Sequence, residues 1–121
     1  MLIPIFNVRD MAEAIRFYTR VLDFELAFAW PEDTPFHAGL VRRPDELHLS
    51  LASGPRPRGR SSAIVVCDDV DALFEGFKAR GFVPPFRPES PVHEGPLDQT
   101  WGAREVYIDD PSGNTLAFQQ R

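Results

Sequence analysis

The sequence repeats one pattern after 59 residues, and this repeat restricts the possible folds more than any other feature. Asp10 and Asp69 each stand where a helix N-cap is expected, directly before apolar residues at helical spacing. The matching stripes are Met11, Ala14, Ile15 and Tyr18 in the first half and Val70, Leu73, Phe74 and Phe77 in the second. Because half a chain has a sheet too small to cover itself, two halves, or two chains, are expected to pair.

Strand-like segments surround both helices, so each half is predicted to fold as a strand, a helix and three strands. The predicted strands span residues 2–8, 24–30, 36–42 and 47–51, and then 63–67, 82–86, 104–109 and 114–119. The first helix is predicted to begin after Asp10, with Glu13 completing a capping box, and to end near Leu22. The predicted fold class is α+β: paired βαβββ modules form curved mixed sheets around a crevice, with the helices outside.

A segment rich in proline, glycine and arginine separates the two halves at residues 54–61. It has no hydrophobic periodicity, which is typical of a linker. We therefore predict one domain over residues 1–121, with module one at about 1–53 and module two at about 62–121.

The charge balance argues against a nucleic-acid partner. The chain carries 18 acidic and 13 basic side chains, a formal net charge of -5, which disfavours a nucleic-acid surface despite the arginines in and near the linker. The single cysteine, Cys67, excludes an intrachain disulfide and fits a reducing compartment. No apolar run approaches the roughly 20 residues of a membrane span, and no leader pattern precedes the first strand. We predict a cytoplasmic protein without a membrane partner.

The stretch WGAREVYIDDPSGNTLAF reads as a hairpin with one packed and one open face. Val106 and Ile108 alternate with Glu105 and Tyr107, which is the period of a strand, so Glu105 and Tyr107 are predicted to face the open side. The DPSG sequence that follows suits a reversing turn. Glu105 either meets a cationic ligand or stays hydrated at the rim.

Three stretches carry a resemblance to a known family: VRDMAEAIRFYTRVLDFEL, VVCDDVDALFEGFKARGF and the hairpin sequence WGAREVYIDDPSGNTLAF. They resemble the vicinal oxygen chelate superfamily of glyoxalases, extradiol dioxygenases and bleomycin-resistance proteins, and most of all the bleomycin-resistance branch. The resemblance implies paired βαβββ modules and a homodimer. Fold does not determine function, so the site residues have to decide the activity.

The resemblance also implies four positions that hold a divalent metal in the superfamily's enzymes. Counted from the predicted strands, they fall at Ile3, His48, Ser62 and Ala117. Only His48 is able to ligate a metal, whereas a catalytic site normally has about three protein ligands and one open position. We therefore expect no metal, no cofactor and no catalytic residue.

An alternative is that the protein keeps the superfamily's metal-dependent chemistry but binds the metal through other residues. His37, His48, His93 and Glu94 are the remaining candidates, and they would make the protein a metal-dependent lyase, isomerase or dioxygenase. The sequence shows no Gly-x-Ser-x-Gly elbow and no histidine close to Cys67, so a nucleophilic mechanism is not expected.

Aromatic residues at strand ends provide the main indication of function. Trp30, Phe36 and Trp101 stand outside the helical stripes and are able to form walls for a flat ligand, although core or dimer packing would also explain them. The tryptophan of Trp101-Gly102 resembles the residue that stacks on the drug in bleomycin-resistance proteins. We predict sequestration of a bleomycin-like planar cation, hence antibiotic resistance, by aromatic walls, a polar floor and one hydrogen-bonding histidine. These residues are Trp30, Phe36, Trp101, Glu105, Tyr107 and His48. A third hypothesis is a structural or regulatory dimer that binds no ligand.

Overall fold

The computed structural model describes residues 1–52 and 60–121, so most of the predicted linker lies outside the described residues. The strands are β1 (Ile5–Val8), β2 (Glu25–Trp30), β3 (His37–Arg42), β4 (Asp45–Leu51), β5 (Ser62–Val66), β6 (Leu97–Asp98), β7 (Arg104–Asp109) and β8 (Thr115–Gln120). The helices are α1 (Met11–Arg16), which continues as a π-helical turn (Phe17–Val21), α2 (Val70–Ala79) and a 3₁₀ turn (Pro91–His93). No described helix is long and apolar enough to cross a membrane.

The chain divides into two compact units, residues 1–61 with 110–114 and residues 62–109 with 115–121. The first unit contains a four-stranded sheet in the order β1-β4-β3-β2, and the second contains one in the order β5-β8-β7-β6. In each sheet one pair is parallel, β1 with β4 or β5 with β8, and the other pairs are antiparallel. The α+β class, the mixed sheets and the βαβββ order of the two modules are therefore confirmed.

The two helices begin in the same way, as the sequence repeat predicts. The side chain of Asp10 accepts a hydrogen bond from the backbone N–H of Glu13, and that of Asp69 accepts one from Ala72, both at 3.0 Å. The second hydrogen bond of the predicted capping box, from the Asp10 backbone N–H to the Glu13 carboxylate, is absent. The Glu13 carboxylate instead pairs with Arg9 at 2.9 Å. The apolar stripes are buried at the equivalent positions Met11 and Val70, as well as at Tyr18 and Phe77.

The predicted strand at residues 82–86 is wrong. This segment is irregular, and the strand that pairs with β7 is the short β6, located in what the sequence predicted to be loop. Pro84 and Pro85 explain the difference, because proline has no N–H to donate to a ladder and is excluded from paired strand interiors. Val83 and Phe86 are consequently among the most exposed apolar side chains.

The turn between β7 and β8 belongs to the first unit and is built on one buried carboxylate. Asp110 is buried and accepts hydrogen bonds from the Tyr18 hydroxyl at 2.8 Å and from the backbone N–H groups of Ser112 and Asn114 at 2.9 Å. The Asn114 amide donates to Asp110 at 2.9 Å and to the Asn7 carbonyl at 2.8 Å. Every donor around this carboxylate thus comes from the turn itself or from the π-helical continuation of α1, and no described buried side-chain polar atom lacks a partner.

Replacing Asp110 by asparagine should destabilise the protein strongly. An amide accepts at only one of its two ends, so at least one of the donors around it would lose its partner, and the expected cost is about 2 kcal/mol or more. Urea unfolding followed by circular dichroism measures the effect. Asp98→Asn is the matched control, since the Asp98 side chain is exposed, and it should change stability by less than about 0.5 kcal/mol. Equal effects of the two changes would contradict a structural role for the buried carboxylate.

Candidate functional site

The first unit places aromatic residues on and beside its edge strand β2 and the neighbouring strand β3. Trp30 and Phe36 are 62% and 50% exposed, and their rings meet edge to face at a centroid distance of 5.3 Å. Phe28 pairs with Gly39 across the two strands, and its ring lies so close to Gly39 that a Cβ there would collide with it. The missing side chain therefore lets Phe28 lie against the sheet, where its ring contacts His37 and His48 at centroid distances of 6.0 and 5.3 Å.

His48 is at the centre of a chain of three hydrogen-bonded side chains. Its Nε2 lies 2.7 Å from the Glu46 carboxylate, and its Nδ1 lies 3.1 Å from Nε2 of His37. A carboxylate only accepts, so Nε2 of His48 carries the proton, and Nδ1 of a neutral His48 then accepts from His37. Glu46 and His37 therefore orient His48, and a hydrogen bond from His48 to a ligand stays a prediction.

The strand register changes two of the four positions that were predicted to correspond to the superfamily's metal ligands. His48 lies directly across from Ile5, and Ala117 lies across from Ile64, so the facing residues are Ile5 and Ile64 rather than Ile3 and Ser62. Isoleucine has no donor atom for a metal. In residues 1–52 and 60–121, no three His, Cys, Asp or Glu side chains are grouped to hold a metal ion.

The second unit holds Trp101 in place through a buried acid. Glu105 is only 3% exposed, and its Oε1 accepts from the Trp101 indole N–H at 2.9 Å and from the Gln119 amide at 2.5 Å. Of the two alternatives for Glu105, the hydrated position at the rim is therefore wrong, and contact with a cationic ligand stays a prediction. Trp101 itself is 62% exposed, so its indole N–H is anchored while most of the ring remains in contact with solvent.

Tyr107 lies on the same face as Glu105, as the alternation of β7 predicts. Burial, followed by the negative charge of the nearby Glu105 carboxylate, raises the pKa of the Tyr107 phenol above its usual value. Beside it lies an open pocket of about 450 Å³. Its lining residues are Ser62, Ala63, Ile64, Tyr107, Thr115 and Ala117. Small side chains at Ser62 and Ala117 therefore leave a hollow next to the phenol.

The predicted site residues fall into two groups. Trp30, Phe36 and His48 lie in the first unit, and Trp101, Glu105 and Tyr107 lie in the second. The sequence reasoning missed the partners that position them, namely Phe28, Gly39, Glu46 and Gln119. Two of these could have been predicted from the sequence. Glu46 shares a strand face with His48, and counting residues outward from the turn pairs Gln119 with Glu105.

The histidines of the enzyme alternative are also divided. His37 and His48 are in contact in the first unit, whereas His93 and Glu94 lie at the 3₁₀ turn of the second. Within either group the donors number fewer than the three protein ligands of a typical catalytic metal.

Residues 4–118 match the model of the Glyoxalase/Bleomycin resistance protein/Dioxygenase superfamily. The chain belongs to this superfamily. No curated protein sequence matches the chain significantly.

Several solved structures of the superfamily have the same fold. The bleomycin resistance determinant of transposon Tn5 has a TM-score of 0.81 at 22% identity, with 100% of this chain and 97% of that one covered. A bleomycin-binding protein from Streptomyces verticillus, complexed with copper(II)-bleomycin, has a TM-score of 0.73 at 28% identity, with 97% and 92% covered. A lactoylglutathione lyase from Agrobacterium tumefaciens has a TM-score of 0.72 at 21% identity, with 99% and 92% covered. Superfamily structures that resemble this chain thus include both binding proteins and an enzyme.

We expect the protein to lose stability at alkaline pH, because the pKa values of both tyrosines are raised in the folded state. Burial and the Asp110 carboxylate raise the pKa of Tyr18, as burial and Glu105 raise that of Tyr107. Above about pH 10 the unfolded tyrosines ionise while the folded ones keep their protons, so unfolding releases protons and stability falls as the pH rises. Urea midpoints should therefore decrease above about pH 10, and less steeply in Tyr18→Phe.

Absorbance at 295 nm gives an independent measurement of the same ionisation. Folded protein should show a weaker phenolate signal at about pH 10 than unfolded protein, whose tyrosines are about half ionised there. A full phenolate signal there, with native circular dichroism, would contradict the raised pKa values.

Proposed function

We propose that this protein sequesters a planar, cationic organic ligand of the bleomycin type and does not transform it. The observation that carries the proposal is the state of Trp101, an exposed indole ring whose N–H is fixed by a buried carboxylate. An exposed tryptophan without such an anchor would lose rotamer freedom on binding. Here the hydrogen bond to Glu105 orders the Trp101 side chain before any ligand binds, which reduces the entropic cost of stacking.

The charge around the aromatic rings suits a cation. Trp101 lies directly on the Glu105 carboxylate, and in the first unit the Phe28 ring contacts the histidine chain that ends at Glu46. A flat cation stacked on such rings gains from the ring quadrupole and from the acidic groups near them. The net charge of -5 favours the approach of the same ligand.

Similar proteins support this ligand class. The Streptomyces verticillus protein is 28% identical and holds copper(II)-bleomycin, and another similar structure is a bleomycin-binding protein complexed with bleomycin. The ligand-binding role of Trp30, Phe36, His48, Trp101, Glu105 and Tyr107 in this chain is part of the proposal.

We also propose a cytoplasmic homodimer. Several apolar side chains on the sheets are exposed, including Ile5, Ile64 and Val66, and a second copy of the chain would cover them. The single cysteine supports a reducing compartment. The ligand crevice between curved sheets stays a prediction.

Titration with metal-free bleomycin tests the proposal. Tryptophan fluorescence of the wild-type protein should be quenched saturably at micromolar or lower concentration. Trp101→Ala should weaken binding about tenfold, since stacking and cation–π attraction together contribute about 1 to 2 kcal/mol. Calorimetry on the same samples gives the affinity independently of the remaining tryptophan.

Two further variants make this experiment specific. Phe86→Ala is the matched control, because Phe86 is 85% exposed and lies outside the proposed site, and it should bind bleomycin as the wild type does. Trp30→Ala tests the aromatic pair of the first unit separately. Absence of saturable binding by the wild-type protein would overturn the bleomycin assignment.

The metal-dependent lyase, isomerase or dioxygenase is a second candidate, favoured by the 3.1 Å contact between His37 and His48. Metal analysis of protein purified without chelator separates it from sequestration. Stoichiometric zinc, nickel, manganese or iron that is lost in His48→Gln would support the enzyme. A dimer without a ligand would instead show weaker dimerisation in Trp101→Ala and no protection by any small molecule.

A further inference from the structure

The second unit contains another pocket, of about 270 Å³, which the proposed stacking site uses only at its Tyr107 wall. Its lining residues are Phe82, Val83, Pro85, Arg87, His93, Tyr107 and Asp109. Drug-sized ligands occupy pockets of about 300 to 1,000 Å³, so this one suits a smaller molecule.

One side of the pocket is apolar because the segment at residues 82–86 does not pair as a strand. Phe82, Val83 and Pro85 line it, and the Tyr107 ring adds an aromatic surface. A single ring or a short branched chain would bury apolar area against these groups.

The other side presents hydrogen-bond donors. Asp109 is the only acid in the lining, and its two oxygens are already engaged, one by the Thr115 hydroxyl at 2.7 Å and the other by Nη1 of Arg87 at 3.1 Å. The Arg87 side chain makes no other hydrogen bond among the described residues, and the nearest further acid, Glu89, lies 4.0 Å from its Nε. A guanidinium has five N–H donors, so most of those of Arg87 remain available.

His93 adds a further donor. Its Nδ1 lies 2.8 Å from the Ser90 hydroxyl, and its Nε2 lies 3.5 Å from Asp109. With the Ser90 hydroxyl donating to Nδ1, the neutral ring carries its proton on Nε2, at the lining of the pocket. The edge of the ring packs on Tyr107 at a centroid distance of 5.5 Å, which fixes its orientation.

We propose that this pocket binds a small organic monocarboxylate with an aromatic or branched apolar body. The carboxylate would accept from the unused N–H groups of Arg87 and from His93, and the body would lie against Phe82, Val83 and Tyr107. A cation is disfavoured because the Arg87 guanidinium already neutralises Asp109, the only acid in the lining. A dianion such as phosphate is disfavoured because a single guanidinium, already shared with Asp109, would face two negative charges.

Sodium benzoate is the probe, and it is titrated into ¹⁵N-labelled protein at constant ionic strength. The expected result is saturable amide shifts at millimolar concentration, confined to residues 82–93 and to Tyr107 and Asp109. Benzylamine and benzyl alcohol, which keep the ring and replace the carboxylate, should bind roughly tenfold more weakly or not at all.

Three variants locate the carboxylate. Arg87→Gln should weaken benzoate binding roughly tenfold or more. Arg87→Lys keeps the positive charge but loses the paired N–H donors of the guanidinium, so its benzoate affinity should lie between those of Arg87→Gln and the wild type. Arg20→Gln is the matched control, an exposed arginine of the first unit, and should leave binding unchanged. Arg87 is half-exposed, so these variants should fold, and circular dichroism checks that they do.

The proposal would be overturned by any of three results: no saturable benzoate shifts, equal binding of benzylamine, or unchanged benzoate affinity in Arg87→Gln. Bleomycin titration of the same variants keeps the two proposals separate. Arg87→Gln should lose benzoate and retain bleomycin, while Trp101→Ala should do the reverse.

Discussion

The buried carboxylate of Asp110 is the interaction on which the first unit depends. It accepts one hydrogen bond from Tyr18 on the first helix and two from backbone N–H groups of its own turn. Asn114 extends the network to Asn7 at the end of β1 and to the backbone N–H of Ser61. A charge buried this deeply is stable only because all of its acceptor capacity is used, so the turn sequence tolerates little change.

Local physical rules made most of the fold predictable from the sequence. The N-cap aspartates, the apolar stripes and the alternation of Val106 and Ile108 each specify an element through neighbours within a few residues, and all of them are found in the structure. The exception is the segment at residues 82–86, where an apolar composition favoured a strand. Backbone donors decide strand pairing, and Pro84 and Pro85 lack them. Composition was therefore the wrong criterion there, and the two prolines were the signal that should have decided it.

The candidate site was less predictable because its geometry depends on pairing across strands. Alternation gave the correct face for Glu105, yet only the register with Gln119 and the fold of the preceding loop bring two donors onto it and bury it. Likewise, nothing local to Phe28 indicates that a glycine on the neighbouring strand lets its ring reach His48. The Arg87 pocket depends on a segment whose strand prediction failed, so it was out of reach of sequence reasoning altogether.

The hairpin of β7 and β8 contains two buried acids, Glu105 and Asp110, and different kinds of donors hydrogen-bond them. Two of the four donors to Asp110 are backbone N–H groups, whose positions the chain fixes, so a ligand could not replace them without unfolding the turn. Glu105 is held by the side chains of Trp101 and Gln119, which can rotate away at the cost of a hydrogen bond. In the function proposed above, the hydrogen bond between Trp101 and Glu105 stays in place and holds the indole ring in position for stacking. Asp110 therefore stabilises the turn of the first unit, whereas Glu105 positions the exposed indole of Trp101.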